Sequence, residues 1–245
     1  MSYMIKNKLY QAQDQVMQFV FGELDILVPD TQVILGGGTA LARCYLNHRI
    51  SYDLDFFIGS KFDPAFIEHM LNGGGFRLQV TGMESGGMFA AQLHGTIKEP
   101  RSQEEIKVSF VEDFFAGMFL TATVKGIRTE IVDGLYHRKL RTVSGTGEVI
   151  SSSGRTLGVG NRQTARDLFD LYILDRDIEP IDRFIERINL NGAGFPQDLF
   201  LQGLAGVPWL DLMDELEALE VIQPLSRPGV MDLKKAFDKV FKRIL

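Results

Sequence analysis

The segment Asp53-Leu54-Asp55-Phe56-Phe57 constrains this chain more than any other stretch. In an extended backbone alternate side chains share a face, so Asp53 and Asp55 fall together while Leu54 and Phe56 point into a core. Two neighbouring carboxylates repel one another unless a cation is shared between them. The pair is therefore a candidate Mg2+ site, because this hard ion takes one or two carboxylates plus phosphate oxygens. The competing reading is a solvent-facing strand end that carries two acids for solubility.

The residues upstream favour a phosphate ligand. Val33-Ile34-Leu35 reads as a short buried strand, halted by Gly36-Gly37-Gly38, and a helical pattern resumes over 39–46. Glycines between strand and helix let the backbone at Gly37, Gly38 and Thr39 approach a phosphate, whose charge the amides of a helix N-terminus can meet. Such a turn is common in any α/β unit, and here it is neither a dinucleotide fingerprint nor a P-loop. Arg49 and Ser51 then precede the acids, and both suit phosphate oxygens, one through a bidentate fork and the other through a hydroxyl.

Periodicity sets the wider organisation. Leu9, Val16, Phe19, Val20 and Leu24 mark a helix over 6–26, and Asp63-Pro64 opens another that ends near Gly73. Extended segments follow at about residues 76–84, 88–97 and 105–111. From about residue 133 onward the pattern is helical, closing on an amphipathic stretch at 231–245. The expected class is α+β, with a mixed sheet flanked by helices over 1–125 and a mainly helical region over 126–245. No internal repeat is visible.

Charge is uneven along the chain. The net charge of -6 excludes a polybasic protein. Yet Arg138, Lys139, Arg141, Arg155, Arg162 and Arg166 face a lone acid, Glu148, between positions 137 and 166. This is either a solvated basic loop or a surface for a phosphate-bearing ligand. Asp211, Asp214, Glu215, Glu217 and Glu220 read as the exposed face of a helix. Arg162, Arg166 and Asp170 fall at i, i+4 and i+8, with Asp167 one residue off, as in a structural ion-pair network. Cys44 reads as a buried small side chain, and a single cysteine excludes an intrachain disulfide. The four histidines show no ligand spacing, and His48 is placed against the fold near Arg49. With no signal peptide or membrane span in the sequence, the expected address is the cytoplasm, with no membrane contact.

Two separated motifs carry a resemblance. Gly-Gly-Gly-Thr-Ala-Leu-Ala at 36–42, followed by His-Arg-Ile-Ser-Tyr-Asp-Leu-Asp-Phe-Phe at 48–57, is similar to the first motif of the AbiEii/AbiGii-type toxin nucleotidyltransferases of the DNA polymerase β-like superfamily. Tyr136-His137-Arg138-Lys139-Leu140 matches that family's lysine segment, and the run from Arg162 to Leu171 matches its Arg-x3-Lys/Arg-Asp-x2-Asp-Leu helix. The resemblance spans roughly residues 33–58 and 130–175.

It implies a polymerase β-like core whose active site the helical region completes. One or two Mg2+ ions, for which Mn2+ can substitute, would sit on Asp53 and Asp55. The implied reaction moves a nucleoside monophosphate from an NTP to an acceptor hydroxyl and releases pyrophosphate. Lys139 and Arg162 are then candidates to hold the triphosphate with Arg49, Ser51, Arg166 and Asp170, and Asp167 is a candidate catalytic or orienting carboxylate. Relatives of this kind are toxins of toxin–antitoxin or phage-defence systems, some of which modify the 3′ end of tRNA, so tRNA and a cognate antitoxin are implied partners. The chain departs from the superfamily at Ser109, where a third acid is expected, and in a Gly/Ser-rich insertion at 144–160 that reads as a mobile loop. Two alternatives stay open: an acceptor hydroxyl on a protein or small molecule, and a nucleotide-binding module with weak catalysis.

Overall fold

The computed structural model describes residues 2–85, 87, 89–144, 149–150, 156–157, 164–222 and 224–245. The chain folds as two compact units that exchange strands of sequence. The first takes Met1–Ala40, Ser51–Ile131 and Ile150–Leu157, and the second takes Leu41–Ile50, Val132–Val149 and Gly158–Leu245.

The first unit is built on a seven-stranded mixed sheet. Its strands are β1 (Val33–Leu35), β2 (Leu54–Ile58), β3 (Arg77–Ser85), β4 (Ala91–Lys98), β5 (Glu105–Glu112), β6 (Thr121–Val124) and β7 (Ile127–Glu130), in the order β3-β4-β5-β2-β1-β7-β6. β2 runs parallel to β5 and β1 parallel to β7, while the other neighbours are antiparallel. Sequence patterning anticipated all but the β6–β7 hairpin, whose strands have only four residues each, although Leu120, Ala122 and Val124 alternate with polar residues ahead of Lys125-Gly126.

Helix α1 (Ser2–Leu27) supplies Phe21, whose ring meets Phe56 edge-on at 5.7 Å, and Phe56 stacks on Phe110 at 4.9 Å. That aromatic column marks the buried face of the sheet, where Leu54, Phe56 and Ile58 are fully enclosed. Aromatic pairs of this kind add about 0.5–1.5 kcal/mol beyond the area they bury. Helix α3 (Pro64–Gly73), preceded by the short α2 (Gly37–Ala40), starts as expected: Asp63 caps it by accepting a hydrogen bond from the Ala65 amide at 3.0 Å.

The second unit is helical. A π-helical turn (Leu41–Leu46) follows α2 in the chain, and α4 (Val132–Ser144), α5 (Ala165–Asp177), α6 (Ile181–Leu190), α7 (Gln197–Ala205), α8 (Met213–Glu217) and α9 (Val230–Ile244) make up the rest. The sequence pattern over 39–46 suggested one helix; the wider turn at its end carries the chain to Asn47, which takes a left-handed φ of 47°. Tyr136 stacks on Phe184 at 4.1 Å and its hydroxyl donates to the Glu179 carbonyl at 2.9 Å, so its polar tip is satisfied inside the core. Gly203 lets α7 touch α4, because a Cβ there would run into the Val143 carbonyl. The acidic residues 211, 214, 215, 217 and 220 are exposed, on and around α8. Val149–Ile150 and Thr156–Leu157 form a two-stranded pair, β8–β9. The loop expected over 144–160 otherwise lies outside the described residues. No described helix is long and apolar enough to cross a membrane.

Candidate active site

In the first unit the site is built on β2. Leu54 and Phe56 are buried on one side while Asp55 and Phe57 are half-buried on the other, and Asp53, also half-buried, stands immediately before the strand. The glycine turn is shaped around those side chains. Gly37 has φ +63°, and a Cβ there would overlap Asp55 Oδ2; a Cβ on Gly36 would overlap the Phe57 ring. The Gly36 amide donates to the Asp55 carbonyl at 2.8 Å. Glycine is thus required twice: once for a left-handed backbone and once so that the Asp55 carboxylate can lie against the main chain.

Asp55 is held from its other side by Ser109. The two residues are register partners across the parallel β2–β5 pair, and Ser109 Oγ donates to Asp55 Oδ1 at 2.6 Å. Ser109 therefore stands beside Asp55, at the position where the sequence suggested a third acid. It contributes a donor there in place of a charge.

Two of the phosphate candidates, Thr39 and Ser51, are buried and engaged with each other. Thr39 Oγ1 lies 2.8 Å from Ser51 Oγ and also hydrogen-bonds the Asp53 carbonyl. Gln13 Nε2, from α1, donates to the carbonyls of Ser51 at 3.0 Å and Tyr52 at 3.1 Å. These bonds pin the backbone that delivers Asp53. Gln13 carries no signal in the sequence beyond being a polar residue on the inner side of an amphipathic helix. Gly38, buried in α2, leaves its amide at the first turn of that short helix.

The second unit gathers Arg49, Lys139, Asp167 and Asp170 into one buried network. Asp170 lies at its centre, fully buried. Its Oδ1 accepts from Arg49 Nε at 2.6 Å and lies 2.6 Å from His48 Nε2; its Oδ2 accepts from Arg49 Nη2 at 2.8 Å and pairs with Lys139 Nζ at 2.9 Å. Lys139 also donates to Asp167 Oδ1 at 2.5 Å, and Asp167 Oδ2 accepts from the Thr164 hydroxyl at 2.8 Å. Thr164 is the N-cap of α5, with its side chain accepting from the Asp167 amide at 3.3 Å. The spacing Thr164-x-x-Asp167 is the capping-box signal, with Asp in place of Glu, and it could have located this helix start in the sequence.

Burial disfavours a charge on Asp170, but Arg49 and Lys139 beside it outweigh that and hold its carboxyl well below the usual carboxylate range. Burial likewise opposes the Lys139 ammonium, and Asp167 and Asp170 overcome it, so its pKa is raised. Two cations facing two carboxylates make the cluster nearly neutral, which is how charge is tolerated in a core. His48 joins this network with its ring 5.5 Å from that of Phe169. Arg166 is half-buried, and Arg162 and Arg155 lie outside the described residues.

The donor set in the first unit fits Mg2+. Both candidate side chains, Asp53 and Asp55, offer hard carboxylate oxygens; Ser109 donates to Oδ1 of Asp55 while Oδ2 faces the Gly37 backbone. Among the described residues no group of three or more His, Cys, Asp or Glu forms a metal cage. Two carboxylates suit an ion that completes its shell with water and substrate phosphates.

Comparison with known proteins identifies the family and the fold. The model of the family described as nucleotidyl transferase AbiEii toxin, type IV TA system, matches residues 18–205. Among curated proteins no sequence matches. Similar solved structures include JHP933 from Helicobacter pylori, 19% identical, covering 96% of this chain and 93% of that one with a TM-score of 0.50. A putative nucleotidyltransferase from H. pylori is 18% identical over 98% and 95%, with a TM-score of 0.52. MenT4, a nucleotidyltransferase toxin from Mycobacterium tuberculosis, is 17% identical over 96% and 82%, also at 0.52. At such identities the likeness concerns the fold, and it is the mixed sheet flanked by helices that these chains share.

Proposed function

The chain belongs to the AbiEii toxin nucleotidyltransferase family, and from that premise we propose that this NTP-dependent transferase is Mg2+-dependent and uses Asp53 and Asp55 to place the nucleotide. One observation carries the reading. The Asp55 carboxylate is fixed between the Ser109 hydroxyl and the Gly37 backbone, and two residues earlier the Asp53 carbonyl is held by Thr39, next to the Ser51 and Tyr52 carbonyls held by Gln13. The sequence puts a second carboxylate, Asp53, two residues from Asp55, and two such charges repel unless a cation is shared.

Bound there, one or two Mg2+ ions, or Mn2+ in their place, would neutralise the triphosphate for in-line attack on the α-phosphorus. The amides of Gly37 and Gly38 would meet phosphate oxygens. Thr39 and Ser51, buried and bonded to one another, are assigned the task of positioning Asp53. Within the second unit, Lys139 and Arg166, with Arg162, are the proposed phosphate contacts that the family resemblance implies. Arg49 and Asp170 are assigned to holding Lys139 in place. Asp167, with one oxygen on Lys139 and the other on Thr164, is assigned an orienting role.

The proposed acceptor is the 3′ hydroxyl of a tRNA, the proposed setting the cytoplasm, and the proposed partner a cognate antitoxin, as the family's type IV toxin–antitoxin description suggests. Incubation of the purified chain with each α-labelled NTP, with Mg2+ and with bulk tRNA or no RNA, tests this. Label in the tRNA band that vanishes with EDTA is expected. Label confined to the protein would replace the RNA acceptor with a protein hydroxyl. NTP binding without pyrophosphate release would reduce the chain to a binding module.

A further inference from the structure

The reading above leaves the acceptor's proton without a destination. Asp53 and Asp55 are assigned to the metal, and both Asp167 oxygens are already hydrogen-bonded. Ser109 gives its own proton to Asp55.

The register of the sheet points to a different group. Asp55 on β2 is opposite Ser109 on β5, Ser109 is opposite His94 on β4, and His94 is opposite Gly82 on β3. Residues directly opposite one another share a face of the sheet. Burial agrees: Leu54, Phe56, Val108, Phe110 and Leu93 line the enclosed side, whereas Asp55, Ser109 and His94 are all half-buried on the other. Two strand spacings separate the backbones of Asp55 and His94 by roughly 10 Å. With both side chains rising from the same face, that separation leaves room for a reacting hydroxyl between a carboxylate-bound ion and the imidazole.

His94 Nε2 lies 3.0 Å from Gln92 Oε1. In the tautomer that donates to this oxygen, Nδ1 is the nitrogen whose lone pair can accept a proton. The β-bulge between Val80 and Gly82 brings a glycine opposite the ring, where a Cβ would come within 3.7 Å of imidazole Cδ2. No side chain from β3 covers the imidazole at that position. The other charged groups on this face are Asp55 on β2, Glu105 and Lys107 on β5, Arg77 and Glu84 on β3, and Lys98 on β4. Helix α3, packed on β3 and β4, carries Glu68 and His69 outside its buried Ile67, Met70 and Leu71.

We infer that His94 is the proton acceptor of the transfer step. As the acceptor oxygen bonds to the α-phosphorus and the bond from that phosphorus to the pyrophosphate oxygen breaks, the hydroxyl proton passes to His94 Nδ1. The inference rests on the nucleotidyl-transfer reading and on the use of this face of the sheet.

The test is the rate of label transfer to tRNA by the full chain with Mg2+, measured across pH for wild type, His94→Gln and His94→Asn. General-base removal lowers such rates about 100-fold or more. That loss is expected together with disappearance of the acid limb of the pH profile, unchanged Mg2+-NTP titration and partial rescue by added imidazole. His94→Asn serves as the second variant if the glutamine disturbs folding. Wild-type rate and pH profile in a folded variant would overturn the inference. So would loss of NTP binding in step with the rate, since that marks a structural role. A wild-type chain that labels no acceptor overturns the parent reading and this one with it, whereas an active wild type with an unaltered variant overturns this one alone.

Discussion

Arg49 holds Asp170 with two arms of its guanidinium, Nε to Oδ1 at 2.6 Å and Nη2 to Oδ2 at 2.8 Å, in a place where neither side chain is more than 3% exposed. A buried pair of this kind adds little to stability compared with an apolar substitute, but removing one partner strands a charge. Arg49→Met and Asp170→Asn should each destabilise the fold by about 3–5 kcal/mol. Urea unfolding measures this, and a loss under about 1 kcal/mol, the range of an exposed pair, would show the network to be less dry than it is drawn.

His137 makes the fold sensitive to moderate acid. Burial, with Arg141 and Arg138 nearby, lowers its pKa to about 3 from an ordinary 6.5. Between those values the unfolded chain binds a proton that the folded chain refuses, so stability falls as pH falls through that window. The loss from this residue should reach about 2–3 kcal/mol between pH 7 and 4.5. Asp170 acts lower down: its folded pKa is depressed, so its contribution is complete above 3.8 and disappears as pH drops below that. Comparing urea midpoints of wild type and His137→Leu at pH 7.5 and 4.5 separates the two effects. An equal drop in both proteins would clear His137 of the role.

Gly37→Ala should damage the site more than its size suggests. The left-handed φ costs about 1 kcal/mol or more for an L side chain, and the new methyl overlaps Asp55 Oδ2. Nucleotide binding is expected to weaken while helix content by circular dichroism stays the same. Asn47→Gly, at the other left-handed position nearby, should be tolerated within about 1 kcal/mol. Equal binding by Gly37→Ala and wild type would remove the close approach from the account.

Asp53→Asn/Asp55→Asn should lose Mg2+-dependent NTP binding without losing stability, since the substitution relieves like-charge repulsion. Calorimetric titration with NTP, with and without Mg2+, gives the first quantity and thermal unfolding the second. Binding that survives in the double variant, or that EDTA leaves untouched in wild type, would abolish the metal site.

Much of this protein is legible in one dimension. Alternation over Asp53–Phe57 announces β2 and which of its side chains are enclosed, because the pleat has period two wherever the strand lies. The glycine turn, the Asp63 cap and the amphipathic spacing of α1 and α9 are equally local. The family resemblance rested on two such stretches, and the matched model spans both.

Other features depend on partners far apart in sequence. Leu41–Ile50 is counted with the helical unit although its neighbours on either side belong to the sheet unit, and no local pattern marks that exchange. Arg49 has the chemistry of a phosphate ligand in the sequence; its pairing with Asp170, 121 residues away, follows from packing that leaves no water to solvate either charge. His94 offered no ligand spacing at all, because residues in one sheet row are related by strand register and not by distance along the chain. The sequence by itself determined the carboxylate pair, the glycine turn and the class of fold, since each is set by neighbours a few residues away. Which cations are held inside by carboxylates, and which polar groups share the open face with Asp55, only the tertiary structure decided, because both depend on register and burial between remote segments.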